Sequence, residues 1–224
     1  MNDKFRSFLK EKNIQGVIFD MDGTLLDAMQ PWFDVSRKLV IEMGRTPRPN
    51  FDQEMKAHEG KNVTDFLIKT YDLNCTPEYV SEYTINGVVD EYKNGVPAKP
   101  FAHELLKAFD QAGIPMCVCT GSFHALCDPA FERLGFDKYF KFTYTPEDVN
   151  GRRKQFPDIY LRAAEKLGVK PENCLVFEDT LLCLTTAHNA GFPTVGVYDS
   201  AAAAYEEDIK KLADIFVHSF EELF

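Results

Sequence analysis

Short apolar runs alternate with longer segments of mixed apolar and polar residues along most of this chain. The runs are bounded by Gly, Pro or Asp, which is typical of strands buried on both faces of a parallel sheet. They cover Gly16–Asp20, Pro115–Thr120, Cys174–Glu178, Thr194–Tyr198 and, more weakly, Ile215–Val217.

The segments between these runs carry apolar residues at helical spacing, and a glycine follows several of them, as is common at helix C-termini. They cover His103–Ala112, Ala125–Leu134, Pro157–Leu167, Leu182–Asn189 and Ala201–Leu212. Strand and helix patterns that alternate in this way predict an α/β fold with a doubly wound, mostly parallel, Rossmann-like sheet.

A long insertion interrupts this alternation after the first predicted strand. It shows only helical patterns, at Trp32–Met43, Asn62–Tyr71 and Pro77–Tyr92. We therefore predict an α/β core domain formed by residues 1–27 and 99–224, and an inserted helical cap domain formed by residues 28–98. A cap inserted at this point would act as a lid that excludes water and selects substrates.

Composition narrows the range of partners. The chain has 35 acidic and 25 basic residues and a net charge of −10, so we expect no binding of nucleic acid. No apolar run approaches the length of a membrane span, and segment 1–12 is too charged for a signal peptide. The six cysteines form no Cys-x-x-Cys pair, which favours free thiols over disulfides or zinc ligands. We expect a cytoplasmic monomer without membrane association.

The segment Gly16–Thr24 contains the most informative pair of residues. Asp20 and Asp22 end a buried strand two positions apart, so their side chains share one side of an extended segment. At about 4 Å, two like charges repel by roughly 4 kcal/mol at an effective dielectric constant of about 20. Either one carboxyl keeps its proton or a cation binds, and both outcomes indicate a functional site.

Two simpler interpretations of this pair compete with a catalytic metal site. Asp followed by Gly also suits an ordinary turn, and that alternative stays open from this segment alone. A calcium loop does not fit, because Gly23 is the fourth residue counted from Asp20 rather than the sixth. The twelfth position, where a Glu is needed, holds Pro31.

The same segment, Gly16–Thr24, resembles the first motif of the haloacid dehalogenase superfamily of phosphatases and phosphomutases, and the resemblance extends over roughly residues 14–200. It implies that Asp20 is the nucleophile that accepts a phosphoryl group and that Asp22 is the general acid and base. The chemistry is sound, because a carboxylate nucleophile divides one hard step into two, and a neighbouring carboxyl can pass a proton to the leaving alcohol.

Thr120 ends the second long apolar run and is followed by Gly121 and Ser122, which resembles the second motif of the family. A hydroxyl and backbone N–H groups before a helix can bind phosphate oxygens. The resemblance therefore implies that Thr120 takes part in catalysis and that Thr120, Gly121 and Gly23 bind phosphate. The alternative is that Thr120 or Ser122 caps the next helix.

Lys154 resembles the lysine of the third family motif, because Pro-Asp follows it at a predicted helix start. The resemblance implies that this catalytic lysine binds phosphate and screens its repulsion from Asp20. The family usually has Pro directly after the lysine, where this chain has Gln155. A run of basic residues such as Arg152–Lys154 is otherwise typical of a solvated surface.

Glu178 and Asp179 end another buried strand and resemble the fourth motif. The acids of the first and fourth motifs form an oxygen-rich group suited to Mg²⁺. The resemblance implies that Mg²⁺ contacts the Asp20 carboxylate, the backbone carbonyl of Asp22, and Asp179, with Glu178 acting through a water molecule or as a neighbour. A turn or cap role for the two acids is the alternative.

The four motifs predict a Mg²⁺-dependent phosphatase that hydrolyses a small phosphorylated metabolite, such as a sugar phosphate, through an aspartyl-phosphate intermediate. The layout is most similar to the subfamily that contains β-phosphoglucomutase, so a phosphosugar mutase is the alternative. Aligned with the mutases, the Thr, His and Arg positions hold Ala28, Trp32 and Ala57, which favours the phosphatase. A non-catalytic binding module is the third hypothesis.

Three residues of the predicted cap are candidates for contacts with the leaving group: Trp32, His58 and Lys61. Trp32 is the only tryptophan of the chain, and on a helix face a tryptophan more often packs in a core than binds a ligand.

Overall fold

The computed structural model of this protein describes residues 1–58, 63–149 and 154–224. The chain forms two compact units, one of residues 1–27 and 97–224 and the other of residues 28–96. The second boundary falls before Pro97, whereas the sequence pattern placed it before Lys99.

In the part of the chain that the structure describes, the larger unit contains a sheet of six strands, and all neighbouring strands are parallel. The strands are β1 (Gly16–Phe19), β2 (Met116–Cys119), β3 (Phe140–Tyr144), β4 (Cys174–Glu178), β5 (Thr194–Val197) and β6 (Ile215–Val217). Their order across the sheet is β3-β2-β1-β4-β5-β6. The predicted doubly wound α/β fold is confirmed, and the strand order reverses between β1 and β4, where such sheets bind ligands.

Helices cover the sheet of the larger unit and make up the smaller unit. In chain order they are α1 (Asp3–Glu11), α2 (Met29–Glu42), α3 (Phe51–Ala57), α4 (Val63–Tyr71), α5 (Pro77–Asn94), α6 (Ala102–Gln111), α7 (His124–Leu134), α8 (Asp158–Leu167), α9 (Leu181–Asn189) and α10 (Glu206–Leu212). Helices α2–α5 belong to the smaller unit. Among the described residues, none of the helices has both the length and the apolar character needed to span a membrane.

The predicted pattern does not include β3 or α3. β3 is an edge strand that alternates aromatic with polar residues, so it differs from the continuous apolar runs of the buried strands. α3 has only seven residues, too few to show a helical period. The predicted helix Ala201–Leu212 is also too long, because Ala203–Tyr205 forms a 3₁₀ turn before α10.

Aromatic packing in the larger unit brings the ends of β1 and β4 together. Phe19 stacks on Phe177 with ring centroids 4.6 Å apart, and Phe109 of α6 packs edge-on against both rings. Phe19 and Phe177 are also register partners in the sheet. The next residues along each chain segment, Asp20 and Glu178, therefore lie side by side at the carboxyl edge.

The smaller unit has its own apolar core. α2 and α5 approach so closely that a Cβ at Gly87 would lie 2.5 Å from Val35 Cγ1. Thr76 caps the N-terminus of α5, and Pro77 occupies its first turn. The buried apolar side chains of this core are Phe33, Leu39, Val40, Phe51, Met55, Leu67, Tyr71, Leu73 and Val80.

The segments next to the unit boundary pair with each other within the larger unit. The Asp27 N–H donates to the Pro97 carbonyl at 3.0 Å, and the Lys99 N–H donates to the Leu25 carbonyl at 2.9 Å. This pairing attaches residues 97–99 to the loop that follows β1. All six cysteines are free thiols, as expected from their spacing.

Candidate active site

The buried polar residues of the larger unit gather at the carboxyl edge of the sheet. Asp20 and Thr120 directly follow β1 and β2, Glu178 is the last residue of β4, and Asp179 follows it. Their exposed fractions are only 5%, 1%, 1% and 2%, respectively. The acids at the ends of β1 and β4 lie at the point where the strand order reverses, which marks this edge as the candidate active site.

Lys154 provides a cation at this site. Its ammonium group donates hydrogen bonds to Asp20 Oδ1 and Glu178 Oε1, and the side chain is buried. Burial lowers the pKa of Lys154, but the negative charges of Asp20 and Glu178 outweigh this effect and hold the pKa well above its usual value. The lysine is therefore charged despite its burial, and Gln155 does not prevent this placement.

Three carboxylates crowd together beside this lysine. Oxygen atoms of Asp20, Glu178 and Asp179 lie within 4.8 Å of one another. Burial, with the charge of Asp20, raises the pKa of Glu178 to about 7, although Lys154 partly opposes the shift. Burial and the charges of Asp20 and Glu178 raise the pKa of Asp179 well above its usual value. A further positive charge would stabilise the ionised form of this cluster.

The cluster has the chemistry of a site for a hard divalent cation. All of its ligand atoms are carboxylate oxygens, which Mg²⁺ prefers over nitrogen or sulfur. Glu178 Oε2 is buried and has no hydrogen-bond partner among the described residues, so it can accept a bond from a metal-bound water. The side chain of Asp22 is not part of the cluster, and its contact with metal through the backbone carbonyl stays a prediction.

Asp22 contacts the loop that follows β2 instead. The Ser122 hydroxyl donates to Asp22 Oδ2, and the Ser122 N–H donates to Thr120 Oγ1 at 3.0 Å. α7 begins only at His124, and its N-cap residue Phe123 makes no side-chain cap. Neither Thr120 nor Ser122 caps this helix, so that alternative is wrong. Gly121, between them, is exposed.

Gly23 has a steric role that the sequence did not indicate. Its φ angle is +84°, and a Cβ there would lie 2.3 Å from Asp179 Oδ2. The Gly23 N–H donates to the Leu26 carbonyl at 2.8 Å, so this amide is used within the loop and lends no support to the predicted contact with phosphate. The next residue, Thr24, donates from its hydroxyl to Asp179 Oδ1 at 3.2 Å. The loop after β1 thus positions Asp179.

The predicted cap contacts lie in the smaller unit. Trp32 Nε1 donates to the Tyr92 hydroxyl at 3.1 Å, and the ring packs against the core of that unit. His58 stacks on Phe66 with centroids 3.9 Å apart, and its Nδ1 lies 2.8 Å from the Glu54 carbonyl oxygen. Both rings are therefore held by their own unit. Lys61 lies outside the described residues.

Two further residues of the site were not predicted. The Tyr160 hydroxyl, on α8, donates to Glu178 Oε1 at 2.6 Å, and its burial, with the charge of Glu178, raises its pKa well above the usual value. Helical spacing predicts that Tyr160 is buried but not what it contacts. Asp199 follows β5 and is 2% exposed. An acid after a buried strand is the signal that identified Asp20, and it would also have found Asp199.

The fold and this site together define an α/β enzyme whose candidate active-site acids lie at the reversal of strand order. A family model described as haloacid dehalogenase-like hydrolase matches residues 14–191. The chain therefore belongs to the haloacid dehalogenase-like hydrolases. Hydrolases of this family generally use a divalent metal, in agreement with the carboxylate cluster.

Several curated relatives of this chain are named as phosphatases. It is 29% identical over 197 residues to a probable pseudouridine-5'-phosphatase of Drosophila melanogaster, covering 84% of this chain and 83% of that protein. It is 28% identical over 186 residues to a fructose-1-phosphate phosphatase of Escherichia coli K12, covering 81% and 95%. A solved structure of β-phosphoglucomutase from Clostridium difficile shares the fold, with a TM-score of 0.71, 22% identity, and coverage of 94% of this chain and 93% of that one.

Proposed function

We propose that this hydrolase is a Mg²⁺-dependent phosphatase that cleaves small phosphate monoesters through a phosphorylated Asp20. The observation that carries the proposal is the buried ion pair between Asp20 and Lys154 at the carboxyl edge of the sheet. An ionised, buried carboxylate beside a cation is a suitable nucleophile for a phosphoryl group. The phosphatase names of the curated relatives support the same reaction class.

In the first step a carboxylate oxygen of Asp20 attacks the phosphorus atom. The bond between Asp20 and phosphorus forms while the bond from phosphorus to the leaving oxygen breaks. Asp22, which enters this step protonated, donates its proton to the leaving oxygen, so that an alcohol departs. The hydrogen bond from Ser122 to Asp22 holds this carboxyl in place beside the loop after β2.

In the second step water hydrolyses the phosphorylated Asp20. The water oxygen bonds to phosphorus, Asp22 takes up the proton that the water loses, and the bond from phosphorus to Asp20 breaks. Inorganic phosphate leaves, and both aspartates return to their starting states. Each turnover therefore consumes one phosphate ester and one water molecule.

Lys154 supplies part of the positive charge that this chemistry requires, and the carboxylates would hold a metal ion that supplies more. Lys154 keeps Asp20 ionised and attracts the phosphate oxygens. The Thr120 hydroxyl accepts the Ser122 N–H and can still donate its own proton to a phosphate oxygen, as can the Gly121 N–H. Asp20, Asp179 and the Asp22 carbonyl would hold Mg²⁺, with Glu178 beside them. When bound, Mg²⁺ supplies positive charge that offsets the carboxylates and the phosphate.

The helical unit of residues 28–96 is proposed to act as the lid that selects the substrate. Trp32, His58 and Lys61 remain the proposed contacts of this lid with the leaving group. The hydrogen bond from Trp32 to Tyr92 and the stacking of His58 on Phe66 would hold two of these rings rigid.

The mutase alternative keeps the core chemistry and changes only the acceptor of the phosphoryl group. A mutase must also bind a second phosphate group of its substrate. The positions where mutases carry Thr, His and Arg hold Ala28, Trp32 and Ala57 in this chain. Two of these side chains have no polar group, and Trp32 is held by Tyr92. Hydrolysis is therefore the function we propose.

The decisive experiment measures phosphate release from a panel of esters, with and without Mg²⁺. The panel contains pseudouridine 5'-phosphate, fructose 1-phosphate, other sugar phosphates, nucleotides and phosphorylated small acids. We expect release that requires Mg²⁺ and that the Asp20→Asn variant abolishes. The matched control is Asp110→Asn, which makes the same change at an exposed position of α6 and should retain full activity.

The same experiment separates the alternatives. Isomerisation of hexose phosphates without phosphate release would support the mutase. The absence of activity in both assays would favour a non-catalytic module. Equal activity of the wild-type protein and Asp20→Asn would contradict the role of Asp20 as the nucleophile. A phosphorylated Asp20 is checked directly by mass spectrometry of the protein quenched in acid during turnover.

A further inference from the structure

A second ion pair, which is partly buried, lies next to the candidate active site. Lys99 Nζ donates to Asp199 Oδ2 at 2.6 Å and lies 3.3 Å from the Tyr198 carbonyl oxygen. The side chains of Lys99 and Asp199 are only 15% and 2% exposed. The other oxygen of Asp199, Oδ1, accepts the N–H of Ala201 at 2.8 Å. Both ends of this pair are therefore held firmly.

The sheet places this pair beside the metal-binding acids. β5 neighbours β4, and Gly196 is the register partner of Glu178, so Asp199 leaves β5 at the edge where Asp179 leaves β4. Asp199 is near enough for its negative charge to act on Asp179. Lys99 reaches the same region from the side of β1, because its backbone N–H donates to the carbonyl of Leu25, which follows Thr24 in the loop after β1.

A purely structural role accounts poorly for this pair. Removing two charges from water is costly, and well-packed apolar residues often replace a buried ion pair without loss of stability. The individual charges of the two side chains, by contrast, matter at this location. Among the residues that the structure describes, Lys99 and Lys154 lie at this edge together with five acids: Asp20, Asp22, Glu178, Asp179 and Asp199. A site that binds both a cation and an anionic ester depends on this balance.

We propose that Lys99 and Asp199 form a charge-balancing pair that sets the relative affinity of the active site for Mg²⁺ and for phosphate. The proposal rests on the proposed phosphatase function. The positive charge of Lys99 reduces the negative potential that attracts the metal and repels the ester. The negative charge of Asp199 partly offsets this effect. Neither residue touches the reacting atoms, so both are positioning residues.

Opposite charge changes should shift the two affinities in opposite directions. Lys99→Met removes a positive charge, so we expect tighter Mg²⁺ binding and weaker phosphate binding. Asp199→Asn removes a negative charge, so we expect weaker Mg²⁺ binding and tighter phosphate binding. Each dissociation constant should change by about three- to tenfold, because one unit charge acts over a distance on the order of 10 Å. The double variant should return both affinities to near the wild-type values.

Calorimetry with Mg²⁺ alone, and with inorganic phosphate at saturating Mg²⁺, measures both affinities without turnover. Circular dichroism and thermal melting verify that each variant is folded. Lys12→Met is the matched control, because Lys12 pairs with Asp214 at 3.1 Å. These two residues precede β1 and β6, at the opposite edge of the sheet. This control should leave both affinities unchanged.

The outcomes distinguish this inference from the proposed function. Opposite shifts in the single variants, reversed in the double variant, support the pair as a charge balance. If the melting temperatures fall while both affinities stay at wild-type values, the pair only stabilises the fold and the inference is overturned. The inference is also overturned if a single variant weakens both Mg²⁺ binding and phosphate binding. A wild-type protein that binds no Mg²⁺ overturns the proposed function together with the inference.

Discussion

The ammonium group of Lys154 is hydrogen-bonded to the carboxylate of Asp20, although 134 positions of sequence separate them. The same ammonium also bonds to Glu178, so one buried cation contacts both the proposed nucleophile and an acid of the proposed metal site. The lysine therefore links two strand ends, those of β1 and β4. Its loss should affect stability and catalysis together, and the two effects should respond differently to pH.

Lys154→Met tests this link. Without the ammonium, Asp20 and Glu178 become buried acids with no cation between them, which should cost about 3 kcal/mol of unfolding free energy at pH 8. The cost should be smaller at pH 6, because Glu178, with its pKa of about 7, can take up a proton and relieve the repulsion. Turnover should fall on the order of 10²–10³-fold. Urea unfolding of the metal-free protein and steady-state kinetics measure these effects.

The control for this change is Lys170→Met, at an exposed position before β4. It should alter neither stability nor turnover. A Lys154→Met variant that is as stable as the wild-type protein at both pH values would contradict the placement of the lysine between the two acids.

Gly23→Ala should destroy the metal site through sterics alone. The added Cβ would lie 2.3 Å from Asp179 Oδ2, and the φ angle of +84° is unfavourable for alanine. Gly113→Ala is the matched control, because Gly113 has a φ angle of +69° but no atom within 4 Å of the added Cβ. Both variants should lose about 1 kcal/mol through backbone strain. Only Gly23→Ala should also lose Mg²⁺ binding, measured by calorimetry.

Sequence patterns predicted the strand ends of this fold well because each buried strand is a continuous apolar run that stops at a polar residue. Asp20, Thr120 and Asp179 were found from that signal, and the parallel sheet brings their strand ends to one edge. The edge strand β3 lacks this signal because it alternates aromatic with polar residues, which explains why it was not predicted. The local pattern was therefore sufficient to predict those strands whose burial on both faces requires a continuous run of apolar residues.

Contacts across the fold were not predictable in the same way. Tyr160 meets Glu178 only because α8 packs beside the sheet, and the sequence of α8 shows burial without identifying a partner. The requirement for glycine at position 23 arises from Asp179, which is distant in sequence. The roles of such residues depend on tertiary packing, which a single sequence does not display.

Metal-free protein should become less stable as the pH rises from about 5 to about 7. In the folded state the pKa of Glu178 is raised to about 7, by burial and by Asp20, from a usual value of 4.5. Between these values the folded state binds more protons than the unfolded state, so the unfolding free energy falls with rising pH. Mg²⁺ should offset the loss, because it favours the ionised carboxylates. Thermal melting across this range, with and without Mg²⁺, measures both effects.

Glu178→Gln separates this effect from that of His124. The pKa of His124 is also raised, because its hydrogen bonds to Asp128 and Asp148 outweigh the effect of burial. A histidine with a raised pKa also loses its stabilising contribution as the pH rises, so it contributes a slope of the same sign. Glu178→Gln should therefore flatten the pH dependence without abolishing it. An unchanged slope in this variant would contradict the assignment to Glu178.

Asp22→Ala tests whether this residue protonates the leaving group. The measurement is kcat/KM for p-nitrophenyl phosphate, phenyl phosphate and an alkyl phosphate, since this parameter reports the first phosphoryl transfer and not the later hydrolysis. A p-nitrophenolate ion leaves without a proton, so its ester should lose little activity. An alkoxide needs the proton, so its ester should lose activity by about 10²–10⁴-fold. Equal losses for all three esters would mean that Asp22 acts on the fold or the metal rather than on the leaving oxygen.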